Sequence, residues 1–414
     1  MPTFRPFRGI RPSEEYVGNF PSLPIESLSD QDYLTLSEDK TTYVNMVSPA
    51  EKGKASDLDK SLKKVRTNFE DLIENKVLMQ DVSAYYLYEQ ILPNKTVYRG
   101  LLGLISVEDF INGKIKKHES TLTERKQQLA KYLDRVNIQA EPVLLTYNSN
   151  PKVELIMNNE EKTVPVMNYT SPNGIRHKLW RIDNRLKIQQ LKEALDPIES
   201  FYIADGHHRM GSTALLAQSR NEKAKKTFGS EPYNFVLSYI VSKDSIKIHD
   251  YNRLIKDLNG LTEEEFLKKL EKTFLINEKG SEPYFPSKKF HISMYLGGKF
   301  YSLHVKHELR QAEMENLRDF DHYLLEKYVI DEILNIEDFR TTDRINYVRG
   351  NSTLDGILQL KDMVDSGEYE VGFGVHPISY NDLVKISENS IEMPPKCTLI
   401  EPKVISALVM YDMK

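Results

Sequence analysis

The hydrophobic residues of this chain follow two periods, in alternating stretches. A helical period of three to four residues is clearest over residues 56–76. Runs of β-branched and aromatic residues at 83–91 and 96–105 predict two strands, and the short proline-containing link at 92–95 predicts that they form a hairpin. The chain therefore mixes helices with strands, which predicts an α/β (α+β) fold.

The same alternation continues toward the end of the chain. Thr262 and Glu265 have the spacing of a helix-capping box, and Gly297-Gly298 separates two strand-like runs as in a hairpin. We also expect helices at 188–195, near 310–335 and at 352–365, a helix opened by Thr121 and Glu124, and strands at 141–147, 153–157, 201–204, 233–241, 371–375 and 404–410.

The length of 414 residues is too great for one hydrophobic core, so we expect more than one domain. Polar breaks and Asn259-Gly260 at 251–262 predict a junction. The expected parts are an N-terminal arm and helix over 1–80 packed on the core, a core over 81–250 with an insertion at 149–200, and a C-terminal α/β unit over 251–414.

Net charge, apolar runs and cysteine content indicate which partners and which compartment to expect. The formal net charge of −5 provides no overall attraction for nucleic acid or acidic lipid, and we expect neither as a partner. No apolar run approaches the length that spans a bilayer, and the start lacks the apolar core of a signal peptide. The single cysteine, Cys397, suits a reducing compartment, so we expect a cytoplasmic protein.

The junction after Phe201 carries the densest functional chemistry. An apolar run ends there in Asp205-Gly206-His207-His208-Arg209 (the 205–209 turn), and a helix-forming sequence follows at once. A helix start points backbone N–H groups and the positive end of its dipole at a ligand. The two histidines and the arginine add donors suited to phosphate oxygens. An anion site is favoured over a solvated turn without a role, because loops on rigid scaffolds often carry function.

Several other chemistries need motifs that the sequence lacks. It contains no Walker loop, no G-x-G-x-x-G after a strand and no G-x-S-x-G elbow. A structural zinc site needs more thiolates than one cysteine supplies. A metallohydrolase using Asp205, His207 and His208 ranks third, because side chains at neighbouring positions rarely converge on one ion. The identity of any metal is left open.

Two further positions are candidates. His118 and Glu119 lie in a loop just before a predicted helix, where a reactive carboxylate can be held without burial. The alternative is that Glu119 only favours the helix dipole. His177, close to Trp180, either lines a site or is a packed structural residue. Phosphate donors and a loop carboxylate permit phosphoryl transfer without demanding it.

At this point the sequence shows a resemblance. Ile203–Arg209 resembles the signature of a large prokaryotic domain-of-unknown-function family related to the ParB/sulfiredoxin-like superfamily and its free-serine kinases. The resemblance implies a ParB/sulfiredoxin-like core with an insertion and an additional C-terminal α/β unit. Further blocks resemble the family in the same order, namely Arg5–Gly9, Lys117–Thr121, Pro142-Val143, His177–Trp180 and Met393–Thr398.

The resemblance also implies residue roles. Glu119, preceded by His118, matches the glutamate that acts as base toward the serine hydroxyl. The 205–209 turn matches the segment that cradles nucleotide phosphates with Mg²⁺, with ATP or ADP as donor. A kinase that converts free L-serine to O-phosphoserine is therefore the leading hypothesis. A non-catalytic, nucleotide-binding regulatory module of the ParB-like class is the alternative. The insertion at 149–200, the C-terminal unit and cysteine in place of the usual serine at 397 depart from the family pattern.

Overall fold

The computed structural model describes residues 1–47, 58–119, 122–315, 317–337, 342–350, 352–391, 393 and 396–414. They form two units. The first comprises 1–117, 121–246 and 402–414, and the second comprises 118–120 and 247–401. Both units combine helices with sheets, so the predicted α/β fold class is confirmed. No helix in these ranges is long and apolar enough to cross a membrane.

The first unit contains a ten-stranded mixed sheet with helices packed on it. The strands of the sheet are β1 (Phe4–Arg5), β2 (Phe7–Pro12), β3 (Leu78–Ile91), β4 (Val97–Ser106), β5 (Ile115–Lys116), β7 (Val143–Tyr147), β8 (Met167–Thr170), β9 (Arg176–Ile182), β10 (Phe201–Asp205) and β11 (Phe235–Ser242). The short strand β6 (Ile138–Gln139) of the same unit pairs outside this sheet. Its helices are α1 (Asp30–Glu38), α2 (Tyr43–Val47), α3 (Leu58–Glu74), α4 (Val107–Ile111), α5 (Thr123–Val136), α6 (Pro151–Glu160), α7 (Arg185–Leu195) and α8 (His207–Lys223).

The strand order of this sheet fixes the position of the 205–209 turn, which follows β10, between β5 and β7. The order is β5-β10-β7-β11-β4-β3-β9-β8, with β1 added on β4 and β2 on β3. The predicted hairpin is the antiparallel pair β3–β4, and the predicted strand at 201–204 is β10, which leads directly into α8. Buried apolar residues of β10, such as Ile203, pack into the main core together with Met210 of α8. The turn is therefore held between two anchored elements.

The insertion at 149–200 is part of this sheet rather than an appendage. Its hairpin β8–β9 pairs through β9 with β3, and the helix predicted at 188–195 is α7. The strand predicted at 153–157 is wrong, because this stretch lies in α6. The Asn150 side chain accepts a hydrogen bond from the Lys152 N–H, Pro151 occupies the first helical turn, and Val153 and Met157 are buried one turn apart.

The second unit is built on a six-stranded sheet, with a separate two-stranded pair formed by its first and last strands. Its strands are β12 (Lys247–His249), β13 (Tyr251–Ile255), β14 (Phe274–Gly280), β15 (Ile292–Leu296), β16 (Lys299–Val305), β17 (Ile345–Arg349), β18 (Val371–Val375) and β19 (Leu399–Glu401). Its helices are α9 (Glu263–Leu270), α10 (His307–Ala312), α11 (Asp321–Leu325), α12 (Leu354–Asp365) and α13 (Tyr380–Glu388), with a π-helical segment over Glu326–Asp331.

Both faces of the six-stranded sheet are covered. The order is β14-β16-β15-β18-β13-β17. Residues such as Met294 and Phe373 pack against α9, α11 and the π-helical segment, whereas Leu254 and Tyr295 pack against α12. The predicted capping box of Thr262 and the predicted β15–β16 hairpin are both confirmed.

The tail, residues 402–414, belongs to the first unit. The strand predicted over 404–410 is wrong. In this stretch only isolated bridges form, at Ser406 and Met410, and the strand that follows is the short β20 (Tyr411–Asp412), paired with β6. Ala407 has a φ of 59°, and a left-handed residue interrupts an extended backbone.

Candidate functional site

The 205–209 turn begins α8 with a glycine that its backbone requires. Gly206 is the N-cap and has a φ of 94°, a left-handed conformation that glycine adopts without the steric cost of a Cβ. Met210 N–H donates to the Gly206 carbonyl at 3.0 Å and starts the helix. Gly206 has no side chain to cap the N–H groups of the first turn. The start of this 17-residue helix therefore has the geometry and dipole direction of an anion site.

Arg209 folds back over the helix start. Its Nη1 donates to the Pro142 carbonyl at 2.7 Å and lies 3.8 Å from Glu141 Oε2. Its Nη2 lies 3.8 Å from Asp205 Oδ1. A Cβ at Gly206 would approach Arg209 Nε to 3.0 Å. The guanidinium is thus held beside the first turn of α8, where it can add bidentate donors to those of the backbone.

Lys403, from the tail, completes the charge balance of the turn. Its Nζ lies 3.4 Å from Asp205 Oδ2, and its carbonyl accepts from Gln90 Nε2 at 3.0 Å. Burial would raise the pKa of Asp205, but the charges of Arg209 and Lys403 outweigh it, so the pKa falls below its ordinary value. Asp205 is therefore ionised at neutral pH. Sequence reasoning missed Lys403, because no spacing rule links it to the turn.

Histidines 207 and 208 form the first turn of α8. His207 is buried and His208 is partly exposed. The described residues contain no group of three or more His, Cys, Asp or Glu side chains that could hold a metal ion. Mg²⁺ commonly takes one or two carboxylates and completes its shell with water and phosphate oxygens. Asp205 fits that pattern, whereas a metal cage built from Asp205, His207 and His208 is not supported.

His118 and Glu119 belong to the second unit, where both contact Thr398. The Thr398 hydroxyl donates to Glu119 Oε1 at 3.4 Å and lies 3.1 Å from His118 Nε2. Because that hydroxyl donates to the carboxylate, the His118 contact is made when Nε2 carries a hydrogen and donates to Thr398. His118 is buried, and the Glu119 side chain is about one-third exposed. The capping box predicted for Thr121 lies outside the described residues.

The 205–209 turn and its neighbours belong to the first unit.

The sequence pattern of DUF1015, described as a protein of unknown function, matches residues 4–323. The chain belongs to this family. Membership of a family of unknown function, which the sequence motifs implied, is thereby confirmed over residues 4–323. No curated protein matches the chain.

Solved structures similar to this DUF1015 chain share little of its sequence. A free serine kinase in complex with AMP is 14% identical with a TM-score of 0.35, covering 74% of this chain and 91% of its own. SbnI with a C-terminal truncation from Staphylococcus aureus is 12% identical with a TM-score of 0.37, covering 74% and 87%. A conserved hypothetical protein from Pyrococcus furiosus is 13% identical with a TM-score of 0.34, covering 74% and 94%.

His177 is embedded in the sheet of the first unit. Its Nδ1 lies 2.7 Å from the Tyr88 hydroxyl and its Nε2 lies 2.9 Å from Ser171 Oγ. The ring stacks on Tyr169 at 4.9 Å between centroids. Burial lowers the pKa of His177 to about 4. These contacts describe a neutral packing residue with both nitrogens engaged, so we give His177 no part in the site.

Cys397 and Thr398 are neighbours in the sequence with different environments. The Cys397 thiol is buried, and burial raises its pKa well above the ordinary value. A thiol in that state is a poor nucleophile, so we assign Cys397 a packing role. Thr398, at the end of a block that resembles the family, was not singled out from the sequence. The sequence signal was the block as a whole, because the resemblance of a block does not tell which of its side chains faces a carboxylate.

Proposed function

We propose that this protein is a nucleotide-dependent small-molecule kinase that transfers a phosphoryl group from ATP or ADP to free L-serine and forms O-phosphoserine. The observation that carries the proposal is the arrangement at the start of α8. There the N-terminus of α8, which begins after Gly206, and the side chains of Arg209 and Lys403 surround the ionised Asp205. Donors and cations gathered at a helix start bind phosphate groups.

The turn would hold the nucleotide phosphates. The N–H groups of the first turn of α8 and the guanidinium of Arg209 would bind the phosphate oxygens, and His207 and His208 would add donors. Asp205 would hold Mg²⁺, which would offset the negative charge of the phosphates. The charges of Arg209 and Lys403 lower the pKa of Asp205 and keep its carboxylate ionised. In phosphoryl transfer such positioning and charge stabilisation account for most of the rate enhancement.

Glu119 would act as the base. Its carboxylate accepts a hydrogen bond from Thr398, so one oxygen is oriented while the side chain keeps partial contact with solvent. A carboxylate in that state can accept the proton of a serine hydroxyl as the hydroxyl oxygen attacks the terminal phosphorus. His118 holds Thr398 from the other side. The choice of L-serine is supported by the resemblance of the 117–121 and 203–209 blocks to free-serine kinases.

The test is a direct assay of the purified protein. ATP or ADP is incubated with Mg²⁺ and L-serine, and O-phosphoserine is measured by mass spectrometry. Glu119→Gln should reduce turnover by about 10²-fold or more while the Kd for ADP changes less than about twofold. Arg209→Ala should weaken ADP binding itself. Glu124→Gln, a matched change in the first turn of α5, should leave both quantities unchanged.

Three outcomes contradict the proposal in different ways. Nucleotide binding without any phosphorylated amino acid would support the non-catalytic regulatory module instead. Undiminished turnover in Glu119→Gln would remove Glu119 from the role of base. If neither ATP nor ADP binds, the assignment of the 205–209 turn to phosphates fails as well.

A further inference from the structure

Three histidines of the second unit lie side by side at one end of its six-stranded sheet. In the ladder, Ile292 pairs with Leu303 on one side and with Val375 on the other. One residue further along, the same register places His291 between His304 and His376. Directly opposite residues of antiparallel strands share one face of a sheet. These side chains are called the histidine row.

Two rings of the histidine row, those of His291 and His304, are in direct contact. His291 and His304 have their ring centroids 4.1 Å apart in an edge-on arrangement. His291 Nδ1 lies 2.9 Å from the Tyr284 hydroxyl, and His304 Nε2 lies 3.3 Å from Ser302 Oγ. All three histidines of the row are partly exposed, so a small solute can reach them.

The surroundings of the row are basic. Burial lowers the pKa of His291, and His304, Lys288, His376 and Lys279 lower it further. Burial likewise lowers the pKa of His304, with Lys279 and Lys288 adding to the effect. The charged groups that shift these two imidazoles are therefore all basic. Both lysines are exposed, and neither forms an ion pair with the described residues. The row therefore lies in a positive electrostatic potential, which a bound anion would lower.

A second row of residues lies on the same face, two positions along each strand. There Ser293 pairs with Ser302 and with Gly374. Ser293 is buried, and within the described parts of the chain its Oγ has no hydrogen-bond partner; the same holds for the buried Nδ1 atom of His376. A Cβ at Gly374 would lie 2.5 Å from Ile357 Cδ1, 3.3 Å from Asn252 Oδ1 and 3.4 Å from Ser293 Cβ, so α12 packs closely on this part of the face. The unpartnered atom that belongs to the histidine row itself is therefore Nδ1 of His376.

We propose that this face of the second unit binds a doubly charged oxyanion of the phosphate or sulfate type. The imidazoles of the histidine row donate hydrogen bonds to it, and Lys279 and Lys288 supply charge. A metal site is disfavoured, because no group of three or more metal-ligating side chains occurs among the residues that the structure describes. The assignment is independent of the kinase proposed above.

The site predicts a dependence of affinity on pH. A bound dianion favours the protonated form of each imidazole, so binding raises the pKa of His291 and His304. By linkage the anion must then bind more tightly as the pH falls toward the ordinary histidine pKa. The facing groups that contribute are His376, Lys279, Lys288 and Tyr284.

The experiment uses sulfate as probe, because sulfate stays a dianion over the whole range in which histidine titrates. Calorimetry on the full chain should show a Kd that tightens by about tenfold between about pH 8 and 6. The double variants His291→Gln/His304→Gln and Lys279→Ala/Lys288→Ala should each weaken binding by about tenfold. His307→Gln, an exposed histidine of the same unit on α10, is the matched control and should bind like the parent protein.

A further arm separates the sources of the oxyanion. Inorganic phosphate is compared with ADP in an Arg209→Ala background, so that binding at the 205–209 turn does not contribute. Tighter binding of inorganic phosphate identifies a small oxyanion, and tighter binding of ADP identifies a phosphate ester. Either result supports the site only if the histidine double variant loses it.

Other results overturn the proposal. Sulfate binding that is equal in the parent protein and both double variants would be an adventitious ion only. Stoichiometric Zn²⁺ binding without sulfate binding would make the row a metal site. If the histidine variant does not fold, the lysine variant and the imidazole resonances decide. Sulfate should raise the pKa of His291 and His304 in the parent protein and leave that of His307 unchanged.

Discussion

Lys403 contacts Asp205 across 198 positions of sequence, with its Nζ 3.4 Å from the carboxylate. The tail that carries Lys403 is attached to the first unit by the Ala407 N–H, which donates to the Ala140 carbonyl at 2.8 Å. Ser406 Oγ donates to Glu141 Oε1 at 3.1 Å nearby. The charge of the 205–209 turn therefore depends on a segment that no local motif connects with it.

Loss of the Lys403 charge should weaken nucleotide binding. We predict that Lys403→Ala raises the Kd for ADP by about tenfold, equivalent to about 1.4 kcal/mol, because one cation beside the phosphates is removed. Lys403→Arg should keep most of the affinity. Lys414→Ala removes a lysine of the same tail that pairs with Glu70 instead, and should have no effect on the Kd. An unchanged Kd in Lys403→Ala would exclude this lysine from the site.

Gly206 should tolerate no side chain. We predict that Gly206→Ala lowers the free energy of unfolding by about 1–2 kcal/mol, because a left-handed residue with a Cβ is strained. The added Cβ would also displace Arg209 and weaken ADP binding. Urea unfolding and calorimetry measure the two effects. Gly18→Ala is the control, since a Cβ there meets no atom within 4 Å. Equal behaviour of the two variants would contradict the prediction.

Thr398 should act as a positioning residue for Glu119. We predict that Thr398→Val lowers kcat for serine phosphorylation by about tenfold, because the carboxylate loses the hydroxyl that orients it. Thr398→Ser keeps the hydroxyl and should keep kcat. The Kd for ADP should stay constant in both variants, and the pH profile of kcat should shift only in the valine variant. A valine variant with normal kcat and pH profile would leave Thr398 a packing role.

His177 should make the first unit sensitive to acid. The pKa of this histidine is lowered to about 4 by burial, from an ordinary 6.5. The stability that depends on the neutral ring is present above about pH 6.5 and is lost as the pH falls through about 4. The difference corresponds to about 3 kcal/mol. Thermal melts from neutral pH to about pH 4 should fall more steeply for the parent protein than for His177→Gln, which has no charge to acquire. Parallel curves would contradict the lowered pKa.

Asp321 should have the opposite effect in the second unit. Burial raises the pKa of its carboxyl to about 7, from an ordinary 3.8, although Phe290 N–H donates to both oxygens. The protonated form therefore stabilises the fold below about pH 4, and this contribution, on the order of 4 kcal/mol, is lost as the pH rises through about 7. Asp321→Asn keeps an acceptor for Phe290 and should flatten the decline in the thermal midpoint between about pH 5 and 8. A decline of the same slope in the variant would place the cause elsewhere.

Local sequence patterns were sufficient for several elements. The β10–α8 junction, the β3–β4 hairpin and the capping box of Thr262 all follow from residues a few positions apart. The strand predicted at 153–157 is wrong, because the apolar residues of this stretch suit a strand as well as a helix. The cap provided by Asn150 and Pro151 decided for the helix.

The existence of these elements, the α/β class and the residue types of the 205–209 turn follow from the sequence alone, because backbone preference and side-chain periodicity act over a few residues. Only the tertiary structure brought Lys403 to Asp205, Thr398 to Glu119, and His291 between its two partners. Those contacts depend on strand order and on the register of each ladder, which join residues far apart in the chain. A shift of one residue in register would turn each histidine of the row to the opposite face of the sheet.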